Sequence, residues 1–177
     1  MNLKESTKGI HIEAENHWFV KYLFAGSITE EVYSDYLYNQ YIAYKALEER
    51  AESCGLFESI EKIKRTDEIL KDFQELGMEK QPTIYVSTMT YSNYVKKLPK
   101  ESIIAHLYVR HFGDMFGGQR MKKLVPGSGS MHEFEDKNIL INNILSKLSL
   151  DMADEANIVF DFAIKLFEEL ASEYDIQ

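Results

Sequence analysis

The chain has few of the residues that staple or interrupt structure. Cys54 is its only cysteine in 177 residues. No intramolecular disulfide can form, which fits a reducing compartment. There are three prolines, Pro82, Pro99 and Pro126, and they sit at plausible segment boundaries. No apolar run approaches the ~20 residues that span a bilayer. Positive charge is in deficit, with 20 Lys and Arg against 29 Asp and Glu, for a net charge of −9. That excludes nucleic-acid binding through a global positive field, though a local basic patch stays possible. Met1 to Lys8 is polar and of mixed charge, unlike a signal peptide, and Ser172 to Gln177 makes no membrane anchor. There is no internal repeat and no low-complexity stretch. The expectation is a soluble, cytoplasmic, single-domain chain over 1–177.

Helical periodicity fills most of the chain. Thr29 followed by Glu30 and Glu31 reads as an N-cap with an acidic first turn. Val32, Tyr36, Leu37, Tyr41, Tyr44 and Leu47 recur at threes and fours, and Gly55 ends that helix near Cys54. Thr66 is expected to cap a segment from Asp67 to Leu76. Ser87 to Leu98, Ser102 to Leu124, Ile139 to Leu148 and Met152 to Ser172 follow. The last is strongly amphipathic, with Ala156, Val159, Phe160, Ala163, Phe167 and Leu170 on one face. Leu3 to Phe24 reads as one further helix, broken near Gly26. Only Thr83 to Val86 looks like a strand, and it is too short to build a sheet. The pattern predicts an all-α bundle of about seven helices. Gly127-Ser128-Gly129-Ser130 reads as a flexible, exposed loop.

Two segments stand out chemically. Residues 105 to 123 carry Gly113, Gly117 and Gly118 inside a helical pattern. Together they cost about 3 kcal/mol against alanine. One reading is a helix end followed by a loop. The other is a kinked helix whose bare backbone lets something flat approach closely. Gly113 and Gly117 lie four apart and share a face, with Asp114 beside it. The second segment holds His11, with Glu15 four residues on. On a helix a carboxylate there can accept from Nδ1–H and leave Nε2 for a metal. His17, His106, His111 and His132 complete the set, and any one of the five has an ordinary structural reading. His-Glu-x-x-His, Cys-x-x-Cys, di-iron carboxylate, P-loop and Gly-x-Ser-x-Gly patterns are all absent. The glycine spacing follows no strand, so a dinucleotide site is excluded.

Taken together, these segments resemble the heme oxygenase family. The matches are Lys8-Gly9-Ile10-His11-Ile12-Glu13-Ala14-Glu15-Asn16 with Phe19 and Gly26, and Tyr108 to Gln119. Weaker ones are Tyr44 to Glu49 and Phe160 to Leu170. The resemblance implies haem b held between a proximal N-terminal helix and a kinked distal helix. It matches His11 to the proximal iron ligand and Glu15 to its partner. Gly113 and Gly117 match glycines whose backbone touches the porphyrin, and Gly118 completes the flexible segment. Asp114 matches a carboxylate that orders distal water, with Tyr44 and Arg110 in the network behind it. Phe160 lies in the last match and is expected against the haem. Lys4, Lys8 and Tyr108 match residues at the propionate edge. Lys122 and Lys123 match a basic patch used by an electron donor, often an acidic ferredoxin. The implied reaction consumes O2 and electrons from a reductant and yields biliverdin, carbon monoxide and ferrous iron.

The chain departs from the family pattern at several points. Phe116 replaces a small hydroxyl residue, which is expected to narrow or dry the distal pocket. His111 takes a usually aromatic position. Asn138 and Asn142 fall where many members have basic residues, and Ala163 where an amide is common. Haem orientation, and the meso carbon attacked, depend on these. Other readings are a haem carrier without cleavage, an unrelated helical enzyme such as a thiamine-salvage hydrolase, and an inert helical interaction protein. A carrier has no need of Asp114. A hydrolase wants a nucleophile, yet Cys54 has no obvious base.

Overall fold

A computed structural model describes residues 2–177. Among the described residues nine α-helices follow one another: α1 (Leu3–Ser6), α2 (Lys8–Asn16), α3 (Trp18–Phe24), α4 (Glu30–Ser53), α5 (Thr66–Glu75), α6 (Val86–Val95), α7 (Lys100–Met121), α8 (Lys137–Leu145) and α9 (Ala153–Glu173). Three short 3-10 turns, Glu61–Ile63, Ser130–His132 and Leu150–Met152, join some of them. Among the described residues there is no strand. No helix among them is long and apolar enough to cross a membrane.

The single N-terminal helix expected from periodicity is three. His17 breaks it with an extended backbone, and its Nδ1 accepts from the Phe19 N–H at 3.1 Å, so an imidazole caps α3. Thr29 caps α4 as expected, accepting from Val32 N–H. Thr66 does not cap α5 with its own side chain. The orphan donors Arg65 N–H and Thr66 N–H instead go to the Glu48 carboxylate on α4, at 2.5 and 3.1 Å.

Two further expectations are corrected. The strand-like segment around Thr83 pairs with side chains rather than with another strand. Thr83 N–H donates to Asp35 Oδ1 and Tyr85 N–H to Asn39 Oδ1, both at 3.0 Å, and Asn39 returns a bond to the Thr83 carbonyl. The Gly-Ser loop is tied down at both of its serines. Asp72 on α5 accepts from Ser130 N–H and Met131 N–H at 2.9 Å, and Glu75 accepts from Ser128 N–H at 2.9 Å. Gly127 and Gly129 take positive φ, which lets the backbone curl onto those carboxylates. Gly129 and Ser130 are buried, not exposed.

Apolar side chains form two clusters. One gathers the second half of α4 with α6, α7, α8 and the start of α9. The other gathers α3, the first half of α4, α5 and the end of α9. α9 contributes to both, and α2 and α7 each pack along it.

Candidate active site

α2 buries only Ala14, so most of its surface faces out. The His11 side chain is 51% exposed, and Glu15 Oε1 lies 3.4 Å from its Nε2. That is not the expected arrangement. In this rotamer the carboxylate sits beside the nitrogen expected to be free, because an i, i+4 pair on an open helix face meets at the outer ends of both side chains. The imidazole also meets Phe160 of α9, ring centroids 5.5 Å apart in an edge contact.

α7 runs unbroken through all three glycines. A Cβ added at Gly113 or Gly117 meets nothing within 4 Å. This face of the helix is therefore bare backbone beside open space. Phe116 follows Gly113 by three residues and borders that face. It stays 64% exposed, its ring edge-on to Phe112 at 5.6 Å. Ile12 on α2 and Ile139 on α8 are further exposed apolar side chains.

Gly118 belongs elsewhere. A Cβ there would stand 2.7 Å from Cγ of the His132 ring. Its absence of a side chain is demanded by packing from behind, not by an opening in front.

Behind the open face is a buried polar network. The Tyr44 hydroxyl on α4 donates to Asp114 Oδ2. Burial first, and the Asp114 charge second, push the Tyr44 phenol well above its ordinary pKa, so it stays a donor. The Arg110 guanidinium lies 5.7 Å from the Tyr44 ring and 4.1 Å from the Tyr91 ring, and donates to Gln40 Oε1 at 3.2 Å. His111 packs edge-on against Tyr44 at 4.9 Å, and its Nε2 is 3.0 Å from Glu48 Oε1. Its unusual residue type is thus absorbed by a carboxylate partner. Asp114 keeps 14% of its side chain accessible, with Oδ1 left over from the Tyr44 bond. Tyr44, Arg110 and Asp114 are brought together, as are His11, Glu15 and Phe160.

The remaining residues sit further out. Lys4 and Lys8 are exposed on α1 and at the start of α2, and Tyr108 is half-buried on α7. Asn138 and Asn142 are exposed on α8, and Ala163 is half-buried on α9. Lys122 is paired with Glu133, whereas Lys123 is exposed. Sequence reasoning does not single out Gln40 or Tyr91, and it meets Glu48 only inside the weak Tyr44 to Glu49 match and His132 only as one histidine of five. Nothing in their local sequence assigns them a role, because each acts across the bundle.

The heme oxygenase family model matches residues 1–169. The chain belongs to the heme oxygenase family. The heme oxygenase of Rhodella violacea is 31% identical over 205 aligned positions, covering 98% of this chain and 87% of the relative. That of Guillardia theta is 30% identical, covering 98% and 86%. The structure of heme oxygenase-1 from Synechocystis in complex with heme superposes with a TM-score of 0.83 at 25% identity, covering 97% of this chain and 91% of that one. The heme oxygenase of Leptospira interrogans superposes at 0.81 with 27% identity, covering 96% and 100%. These matches bear out the all-α expectation and the family reading together.

Proposed function

We propose that this chain binds haem b through His11 and opens it at a meso carbon to biliverdin, carbon monoxide and ferrous iron, with Asp114 as the catalytic carboxylate. The observation that carries the reading is the pairing on α7 of an open glycine face with a carboxylate held from behind. Gly113 and Gly117 leave room for a flat group against bare backbone. Asp114, between them in sequence, is bonded to a buried tyrosine and keeps one oxygen free. The residues present fit a porphyrin: an exposed imidazole, exposed apolar side chains and a surface without Cβ atoms.

When bound, haem supplies the iron that takes up dioxygen and the meso carbon that is attacked. The chain supplies the rest. His11 would hold the iron through its imidazole, with Nε2 available once Glu15 turns away from it. Phe160 fixes the tilt of that ring. Asp114 Oδ1 holds a water on the open side of α7, and Tyr44 holds Oδ2 so that the carboxylate cannot swing away. Arg110 places its charge behind Tyr44 and balances the buried carboxylate. Lys4, Lys8 and Tyr108 take the propionates. Lys123, with Lys122, receives a reductant such as an acidic ferredoxin.

An optical haem titration of the wild type and His11→Ala tests the ligand. A saturable Soret band in the wild type, displaced or lost in His11→Ala, supports it. An unchanged band in the variant refutes His11 as the ligand.

A further inference from the structure

His132 closes the 3-10 turn Ser130–His132 and is fully buried, yet neither ring nitrogen has a hydrogen-bond partner. Leaving a buried imidazole unbonded is costly. Its position is nevertheless built with care. Asp72 pins the two residues before it through Ser130 N–H and Met131 N–H. Gln119 Nε2 donates to its carbonyl at 2.8 Å. Gly118 is bare where the ring passes under α7. Nδ1 stops 3.9 Å from Asp114 Oδ1, the oxygen that Tyr44 leaves free.

We propose that His132 is a positioning residue for Asp114: its Nδ1–H donates to Asp114 Oδ1 while Tyr44 donates to Oδ2, so the carboxylate is gripped at both oxygens. This deepens the reading above and rests on Asp114 acting there. The gap of 3.9 Å closes with a shift of about 1 Å to reach hydrogen-bond distance. Each carboxylate oxygen has more than one lone pair, so Oδ1 can still hold a water on its exposed side. Burial holds the ring below its ordinary pKa and so neutral at pH 7; Arg65 and Lys122 act in the same sense, and the opposing charges of Asp114 and Asp72 do not overcome them. A neutral ring has one N–H, and the tautomer follows the acceptor it meets.

Histidine 15N NMR of the haem-free protein tests the pairing without any turnover. The expected result is an Nδ1–H tautomer for His132 whose ring-proton signal moves in Asp114→Asn. An Nε2–H tautomer, or a signal that ignores Asp114→Asn, overturns the proposal. Single-turnover cleavage tests the consequence. His132→Phe is expected to slow it about tenfold at unchanged haem affinity. His132→Asn, whose side-chain N–H stands near the Nδ1 position, is expected to restore most of the rate. A Phe variant as fast as wild type, or a folded Asn variant as slow as Phe, overturns it. If Asp114 itself proves dispensable, the functional reading fails, while the NMR result still decides whether the two side chains pair.

Discussion

Tyr44 and Asp114, seventy residues apart in sequence, share a hydrogen bond from phenol to carboxylate. The bond ties α4 to the middle of α7 and sets which carboxylate oxygen remains available. Removing the donor while keeping the ring isolates its contribution. Tyr44→Phe is expected to slow haem cleavage about 10- to 100-fold, the worth of one hydrogen bond to a charged group. Haem affinity should not change. A rate equal to wild type contradicts the assigned role.

The three glycines of α7 should behave differently from one another. Gly113→Ala and Gly117→Ala meet open space in the haem-free chain. Each should stabilise the helix by about 0.5–1 kcal/mol and weaken haem binding by blocking close approach. Gly118→Ala drives a methyl group into the His132 ring and should destabilise by about 1–3 kcal/mol. Thermal melts of the haem-free variants, with haem titrations beside them, separate the two behaviours. Equal effects at all three positions contradict the account.

Stability should fall in acid in two stages. Burial holds His106 and His132 below their ordinary pKa of 6.5. The unfolded chain therefore takes up protons that the folded chain refuses, and stability is lost as pH falls below 6.5. Glu48 and Glu155 are held below 4.5. At Glu48 burial opposes this, but bonds from His111, Thr66 and Arg65 N–H outweigh it. At Glu155 the bond from His106 is the main cause. Both carboxylates contribute stability above 4.5 that is lost as pH drops through their folded values. Urea unfolding of the haem-free protein from about pH 8 to about pH 4 should decline first near the histidine value and then more steeply. His132→Phe should flatten the first stage. A profile level across that stage contradicts the assignment.

The electron donor should depend on Lys123 more than on Lys122. Glu133 already neutralises Lys122, and Lys123 is exposed. Lys123→Glu is expected to slow turnover with an acidic ferredoxin several-fold at low salt, and less as salt screens the contact. Turnover with a small chemical reductant should be unaffected. Loss with both reductants would place Lys123 elsewhere in the mechanism.

The long helices were legible because each buries one stripe, and the 3.6-residue period survives wherever a stripe is buried. The break at His17 was not, since its cap is an imidazole rather than a short polar side chain. The Gly-Ser loop reads as flexible in any local window. Asp72, more than fifty residues earlier, ties it down. The strand-like segment at Thr83 has the right composition for a sheet but finds its partners in Asp35 and Asn39 of a helix. At the site, Gly113, Gly117 and Asp114 stand out in the sequence as residues that packing alone explains poorly, whereas His11 stands out only through its spacing to Glu15 and the family resemblance. Gly118 was grouped with its neighbours because spacing carries no information about what lies behind a helix. His132 was one histidine of five, and only the fold brings it under Gly118.

The role proposed for Asp114 is to turn haem binding into haem cleavage. The most direct measurement adds a reductant in air, with catalase present, to the haem complexes of the wild type and Asp114→Ala. The wild-type Soret band should decay into a biliverdin spectrum. The variant should bind haem equally well and form little or no biliverdin. A wild-type complex that never bleaches, even with ferredoxin and its reductase, or an Asp114→Ala variant that yields biliverdin at the wild-type rate, would contradict it.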